Sequence, residues 1–391
     1  MVRVLICQTT TGRLVEEVPV SSWKYDTGLL ASDRISLTVP AYTRHARSVD
    51  YTSLFTPLKY SIFLLDDDLE PAYCPAAGVI TGWTLAQDDD GLEKFTVDAT
   101  GIEKIFEYRH VRKYPGWPLP VTKKKDKDGK DIVTTPYDLA YKNLDPSAIM
   151  GAVVAESLKW PGAGLPLAYP DTALKGTSQA TFSALDGRSV KEAIDSLSDS
   201  HGIEYDLTPT FNQTTNTAGW TLQAGTAARP LLIPHSDAVL PLGGAYDTTA
   251  ITTQKTGGET LVSAAVFAGG KTDDTVLVAH AASTAWTDRG YPYTEVWDAS
   301  HSSVSLQATL DRYASAAVAS GGFTVSWEAI VRAGRYPRLR HGDVVVFDAY
   351  GSDLMPDGTY QKRVLSVSRD SSSEGWLTIQ LVEDVNAEIY S

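Results

Sequence analysis

At 391 residues the chain exceeds what one hydrophobic core usually fills, since cores stop growing near about 250–300 residues, so two or three domains are expected. A composition of 43% hydrophobic and 21% charged residues is that of a globular chain and excludes wholesale disorder. The formal net charge of -14 disfavours phosphate backbones and anionic lipid as partners, because the field that draws basic proteins to them repels this one.

The N-terminal run Met1-Val-Arg-Val-Leu-Ile-Cys-Gln has too short an apolar stretch for a signal segment. Strands are expected at 34–39, 58–65, 78–85 and 94–99, where β-branched and aromatic residues recur between turn clusters. Asp66-Asp67-Asp68 and Asp88-Asp89-Asp90-Gly91 fall where hairpin loops belong and read as solvated turns. Cys7 and Cys74 form no CxxC pair, so neither a zinc knuckle nor a disulfide framework is written here, which fits synthesis in a reducing compartment.

The middle of the chain turns to mixed α+β character. Pro146 after Asp145 opens a helix carried by Ile149, Val153, Val154 and Leu158 and stopped at Pro161. This window, the longest apolar one, falls far short of a membrane span and contains Glu156. A second helix opens at Ser189, three residues before Glu192 in capping-box spacing, and ends at Gly202. Alternation at Ile203, Tyr205 and Leu207, then at Trp220, Leu222 and Ala224, predicts a hairpin.

Strands return at 262–268 and 275–280, with Gly269-Gly270-Lys271-Thr272 as the turn between them. A helix at about 303–318, capped by Ser302 or Ser303 and ended by Gly321-Gly322, precedes strands at 323–327, 343–348, 362–368 and 376–381. The two β-rich ends resemble each other: Leu58 aligns with Leu339, Ile80 with Val364 and Phe95 with Leu377, at offsets of 281, 284 and 282 residues. The expected fold is mainly β, with two similar small antiparallel β-barrel or sandwich modules (1–104 and 241–391) flanking a mixed α+β insert (105–240).

No constellation of catalysis emerges. Gly269-Gly270-Lys271-Thr272 lacks the first glycine and following helix of a phosphate loop. Gly176-Thr-Ser178-Gln-Ala180 lacks the strand that would make it a nucleophile elbow. Seven histidines include no pair at i, i+4 and no HExxH, and Asp126-Lys-Asp128-Gly129-Lys-Asp131 reads as a hairpin tip, not a calcium loop. No enzyme activity, cofactor or metal is therefore expected. Two surfaces stand out for interaction. Residues 101–130 carry net +5 and include Lys123, Lys124, Lys125 and Lys127, a solvated hairpin or a contact for an acidic protein face or DNA. Trp286, Tyr291, Tyr293 and Trp297 form an aromatic set that can pack a rigid loop, stack on sugars or fill a protein hot spot.

The order of parts resembles the tail-hub family of long-tailed bacteriophages, the baseplate hub or minor tail proteins. The marks are the strand 95–99 leading into Gly101-Ile-Glu-Lys-Ile-Phe-Glu-Tyr-Arg109, the capped helix at 189–198 followed by Gly202-Ile-Glu-Tyr-Asp-Leu, Asp298 before the helix at 303–318, and Arg340-His-Gly342-Asp343-Val-Val-Val-Phe before Arg363-Val-Leu-Ser-Val. The resemblance implies a structural virion protein at the tail tip, made in the host cytoplasm: a homotrimeric ring whose two modules per chain alternate to present sixfold symmetry to the tail. It further implies contacts with the distal tail protein, the tape-measure protein and tip or fibre proteins, and passage of DNA without specific binding or membrane insertion. Many relatives carry a cell-wall hydrolase domain after the hub; with Ser391 close behind the last predicted strand, none is expected here. A carbohydrate- or receptor-binding tail module is the alternative.

Overall fold

The computed structural model describes residues 2–41, 48–69, 72–87, 91–117, 120–125, 131–225, 235–242, 248–256, 261–272, 275–300, 304, 307–322, 324–351 and 357–383. Its contacts divide the chain into two units, Met1–Ala250 with Ala329–Ser391, and Ile251–Glu328.

The first unit opens with strands β1 (Val2–Gln8), β2 (Leu14–Glu17), β3 (Ser22–Gly28) and β4 (Ala31–Pro40). A short helix α1 (Tyr51–Leu54) and strands β5 (Tyr60–Asp66), β6 (Tyr73–Gln87) and β7 (Glu93–Thr100) follow. Alternation drives these strands: Ile35, Leu37 and Val39 of β4 and Phe95, Val97 and Ala99 of β7 are buried while their neighbours face outward. Strand β1 is instead buried on both faces, which its unbroken apolar run Val4-Leu5-Ile6-Cys7 allows.

Next come α2 (Glu103–Glu107), β8 (Thr122–Lys125), β9 (Asp131–Thr134), β10 (Leu139–Leu144) and α3 (Pro146–Ser157). Then β11 (Leu167–Ala168), β12 (Lys175–Phe182), α4 (Val190–His201), β13 (Glu204–Asn212) and β14 (Thr217–Gly225) complete the α+β part. Both helix starts are those the sequence dictates. The Asp145 side chain accepts from the N–H of Ser147 at 2.9 Å ahead of Pro146, and Ser189 and Glu192 complete the capping box that opens α4. Gly202 closes α4 in the left-handed conformation, φ 61°. The predicted hairpin is β13–β14, with Tyr205 opposite Ala224 and Leu207 opposite Leu222. Its Trp220 packs on Phe63 of β5 with ring centroids 4.7 Å apart, in a core shared with Ile149 and Val153 of α3 and Ile194 and Leu197 of α4.

The chain then forms β15 (His235–Leu242) and β16 (Thr248–Thr256). The second unit follows with β17 (Ala264–Thr272), β18 (Thr275–Ala282), β19 (Glu295–Asp298) and α5 (Gln307–Ser320), and the chain ends with β20 (Thr324–Arg332), β21 (Val344–Ala349), β22 (Gly358–Asp370) and β23 (Trp376–Glu383). The division between the units falls within β16 and β20. In the second unit α5 seats Leu310 and Ala314 on Val262, Ala265 and Phe267. Helix α5 occupies most of its predicted span, and its expected caps Ser302 and Ser303 lie outside the described residues. Gly269-Gly270 is not a hairpin turn. The β17–β18 ladder runs on to Thr272 opposite Thr275 and carries an irregularity between Ala268 and Lys271. A side chain at Gly269 would meet the Val304 carbonyl oxygen at 3.0 Å and a Leu310 methyl at 3.1 Å, so the glycine is there for close approach.

The principal sheet has thirteen strands in the order β16–β20–β23–β22–β3–β4–β7–β6–β5–β1–β2, with β21 beside β22 and β15 beside β21. Among the described residues it is open and closes into no barrel, while the mainly β character with an α+β part is as expected. Three of its strands, β5–β6–β7, are repeated in register by β21–β22–β23. Ser61, Ile62 and Phe63 lie opposite Val79, Gly78 and Ala77, as Val344, Val345 and Val346 lie opposite Arg363, Lys362 and Gln361. Ile80, Gly82, Trp83 and Thr84 lie opposite Ala99, Asp98, Val97 and Thr96, as Val364, Ser366, Val367 and Ser368 lie opposite Leu381, Gln380, Ile379 and Thr378. Each long centre strand is bulged at the same place, after Ile80 and after Val364. The offsets expected for the second and third strands hold, and that of the first is 283, not 281.

Candidate assembly surface

The two centre strands differ in what lies along their outer halves. In β22, residues 366–370 pair with β3 from Ser366 opposite Gly28 to Asp370 opposite Lys24, and the Thr27 hydroxyl donates to the Val367 carbonyl at 3.3 Å. Among the described residues the equivalent stretch of β6 pairs with β7 on one side only, because β5 reaches no further than Val79. Along it Trp83 is 37% and Leu85 44% exposed, and the Trp83 ring meets Phe95 edge-on with centroids 5.3 Å apart. Phe95 in turn contacts Phe55 and Tyr51, so this edge stands on a rigid aromatic base.

A partly buried polar seam joins β22 and the residues before β21 to β13. Arg363 of β22 makes a two-pronged ion pair with Glu204 of β13, and Nε2 of His341 lies 3.0 Å from Oδ1 of Asp206. Arg369 reaches Asp66 at 3.0 Å, so the Asp66–Asp68 run is not simply a solvated turn: Asp66 is buried and paired, while Asp67 binds Arg3 at 2.9 Å. Around a cavity of about 20 Å³ stand Ser32, Asp33, Glu103, Lys191, Tyr205 and Asp206. That volume admits a water molecule and no organic substrate. Burial, with the charges of Glu103 and Asp206 adding to it, holds the Asp33 carboxyl well above the usual range, and burial raises Glu103 as well. Burial also opposes the charge of Asp206, yet the bonds from His341 and Thr208 and the nearby Arg340 keep its pKa below normal. Asp343 is pushed up to about 6, chiefly by burial. These groups come from segments hundreds of residues apart: Glu103, Asp206 and Asp343 lie in stretches that carry the tail-hub resemblance, and no local pattern announces that they meet.

The residues singled out from the sequence divide. Lys123, Lys124 and Lys125 lie exposed on β8, whose ladder with β9 brings Lys125 opposite Asp131; Lys127 and the hairpin tip lie outside the described residues. The aromatic set is one packed pair and two exposed rings. Trp286 and Tyr291 pack at right angles with centroids 5.6 Å apart, and the Trp286 indole N–H donates to the Gly321 carbonyl at 3.2 Å. With Arg289, Ser315 and Val318, Trp286 lines an open recess of about 500 Å³. Tyr293 and Trp297 project into solvent, 61% and 67% exposed. Among the described residues no group of three or more His, Cys, Asp or Glu is placed to hold a metal ion. Cys7 and Cys74 are free and buried, and burial pushes the Cys7 thiol up to about 12.

No protein-family profile matches the chain, and no curated protein matches it. Solved structures do. The 43 kDa tail protein of prophage MuSo2 from Shewanella oneidensis aligns over 98% of this chain and 98% of its own, with TM-score 0.57 and 11% identity. A tail protein from Neisseria meningitidis MC58 aligns over 98% and 97%, with TM-score 0.56 and 11% identity. The Francisella PdpA-VgrG complex contains a chain that aligns over 98% of this one and 52% of its own, with TM-score 0.51 and 8% identity. At these identities the likeness is one of fold: the chain has the fold of phage tail proteins.

Proposed function

We propose that this chain is a structural virion protein, the hub at the distal end of a phage tail, three copies of which form a ring joining the sixfold tail to the tip and letting DNA pass. The observation that carries the reading is the residue-for-residue duplication of β5–β6–β7 as β21–β22–β23, in a chain whose fold follows two phage tail proteins over 98% of its length. A threefold ring of doubled modules meets a sixfold neighbour without a symmetry mismatch. On this reading residues 1–104 and 241–391 are the two ring modules, and 105–240 is the part that faces other tail components. The distal tail, tape-measure and tip or fibre proteins are its partners, and the exposed lysines of β8 suit an acidic face on one of them. The net charge of -14 favours sliding of DNA over sticking. The role is structural, with no catalysis and no cofactor.

Class averages of the purified chain in the electron microscope test this reading. Rings of three copies with a central hole and a sixfold outline are expected, and single compact particles at every concentration would contradict it. A second reading, a carbohydrate- or receptor-binding tail module, draws on the exposed Trp297 and Tyr293 and on the recess beside Trp286.

A further inference from the structure

We propose that the outer half of β6, residues 82–87, is a strand-addition edge that receives β16 of a second copy of the chain. The inference deepens the ring reading and rests on it. The strand order of the principal sheet is a four-strand sequence used twice, β16–β20–β23–β22 and then β3–β4–β7–β6. Strand β20 stands to β23 as β4 stands to β7: the Ala41 N–H donates to the Glu93 carbonyl at 2.9 Å and the Ala333 N–H to the Gly375 carbonyl at 2.8 Å, at matching positions of the two copies. In that order β16 is the counterpart of β3.

Within one chain the first four strands join the second by seating β3 on residues 366–370 of β22. The same step applied once more would seat β16 of the next chain on residues 82–86 of β6, since an offset of 284 relates the two edges. Both ends are open for it. Among the described residues β6 beyond Ile80 has β7 alone beside it, and β16 has β20 alone. The edge also lacks the usual protection: Gly82-Trp-Thr-Leu-Ala-Gln87 contains no charge and no proline, the devices by which exposed strands are kept from pairing. A head-to-tail contact of this kind is heterologous, and its repetition generates a ring when the rotation closes. Main-chain hydrogen bonds supply the affinity and the bulge after Ile80 fixes where the ladder begins.

Cross-linking tests the pairing. Thr84→Cys is combined with Thr252→Cys or with Gln254→Cys, all three positions being exposed in the single chain, and treated with a short thiol-reactive cross-linker. Cys7 and Cys74 are buried and unreactive by comparison. Covalent species of up to three chains are expected from at least one double variant and from no single variant. Rings that form without cross-linking in either double variant would overturn this pairing alone, as would a covalent dimer from Thr84→Cys by itself, which signals β6 against β6. A chain that stays monomeric at every concentration would overturn both this pairing and the ring reading. Leu85→Lys supplies a second arm: it is expected to weaken self-association about tenfold or more with an unchanged unfolding midpoint. Undiminished association in this variant would count against the edge.

Discussion

Leu58 and Gly342 occupy the same place in the two modules. Each has left-handed backbone, φ 63° and 85°, and each donates its N–H to the centre strand just before the bulge, Leu58 to Ile80 at 2.8 Å and Gly342 to Val364 at 2.7 Å. The turn is thus imposed by the module and not by the residue: glycine adopts it freely, whereas leucine bears a cost of about 1–2 kcal/mol for its Cβ.

Leu58→Gly is therefore expected to raise stability by up to about 1 kcal/mol, and Gly342→Ala to lower it by about 1 kcal/mol. Urea unfolding midpoints measure both. Equal and small effects at the two sites would mean that the turn relaxes without strain.

The ion pair between Glu204 and Arg363 predicts an asymmetry. The Arg363 side chain is 8% exposed and that of Glu204 31%, so removing the carboxylate takes the two-pronged partner from the more buried charge. Glu204→Ala should cost about 3 kcal/mol, and Arg363→Met, which keeps the apolar stem, about 1–2 kcal/mol. The order of the two losses, read from chemical denaturation, is the check.

Stability should respond to pH through the raised carboxyls. Asp343 titrates at about 6 in the folded chain and near 4 when unfolded, so between those values the folded state holds more protons and stability falls as pH rises. Asp33 and Glu103 act in the same direction. Asp343→Asn should raise the stability at pH 7 by about 1–3 kcal/mol and flatten the decline between pH 4 and 6. A melting curve that keeps its full pH dependence in this variant would show that other groups carry it.

The aromatic set should separate under mutation. Trp286→Ala loses the Tyr291 contact and the bond to Gly321 and is expected to destabilise the second unit by about 2 kcal/mol. Tyr293→Ala and Trp297→Ala should stay within about 0.5 kcal/mol of the parent. If the carbohydrate-binding reading holds, Trp297→Ala abolishes retention on a glycan array while the melting temperature is preserved.

What could be read from the sequence was local or repeated. The capping box at Ser189 and Glu192 and the Asp145-Pro146 start are complete within four residues, and they form as written. The repeat was legible at Ile80 and Val364 because two meanders with the same alternation and the same bulge leave the same pattern. Its first strand sits two residues from the offset the sequence suggests, a slip that keeps every side chain on its own face and so leaves no trace in the pattern of hydrophobicity. Gly269-Gly270 reads as a turn from sequence because a glycine pair has the same composition in a bulge. Long-range pairing was not legible at all: nothing near Ser366 announces Gly28, and nothing near Arg363 announces Glu204.

The central claim, that doubled modules in one chain build a threefold ring, is tested most directly by sedimentation equilibrium over a wide concentration range. The expected result is a limiting mass of three times 42.3 kDa, with no dimer of comparable population at intermediate concentrations because a closed ring gains its last interface without losing further translational freedom. A mass that stays at one chain, or that stops at two, would contradict it.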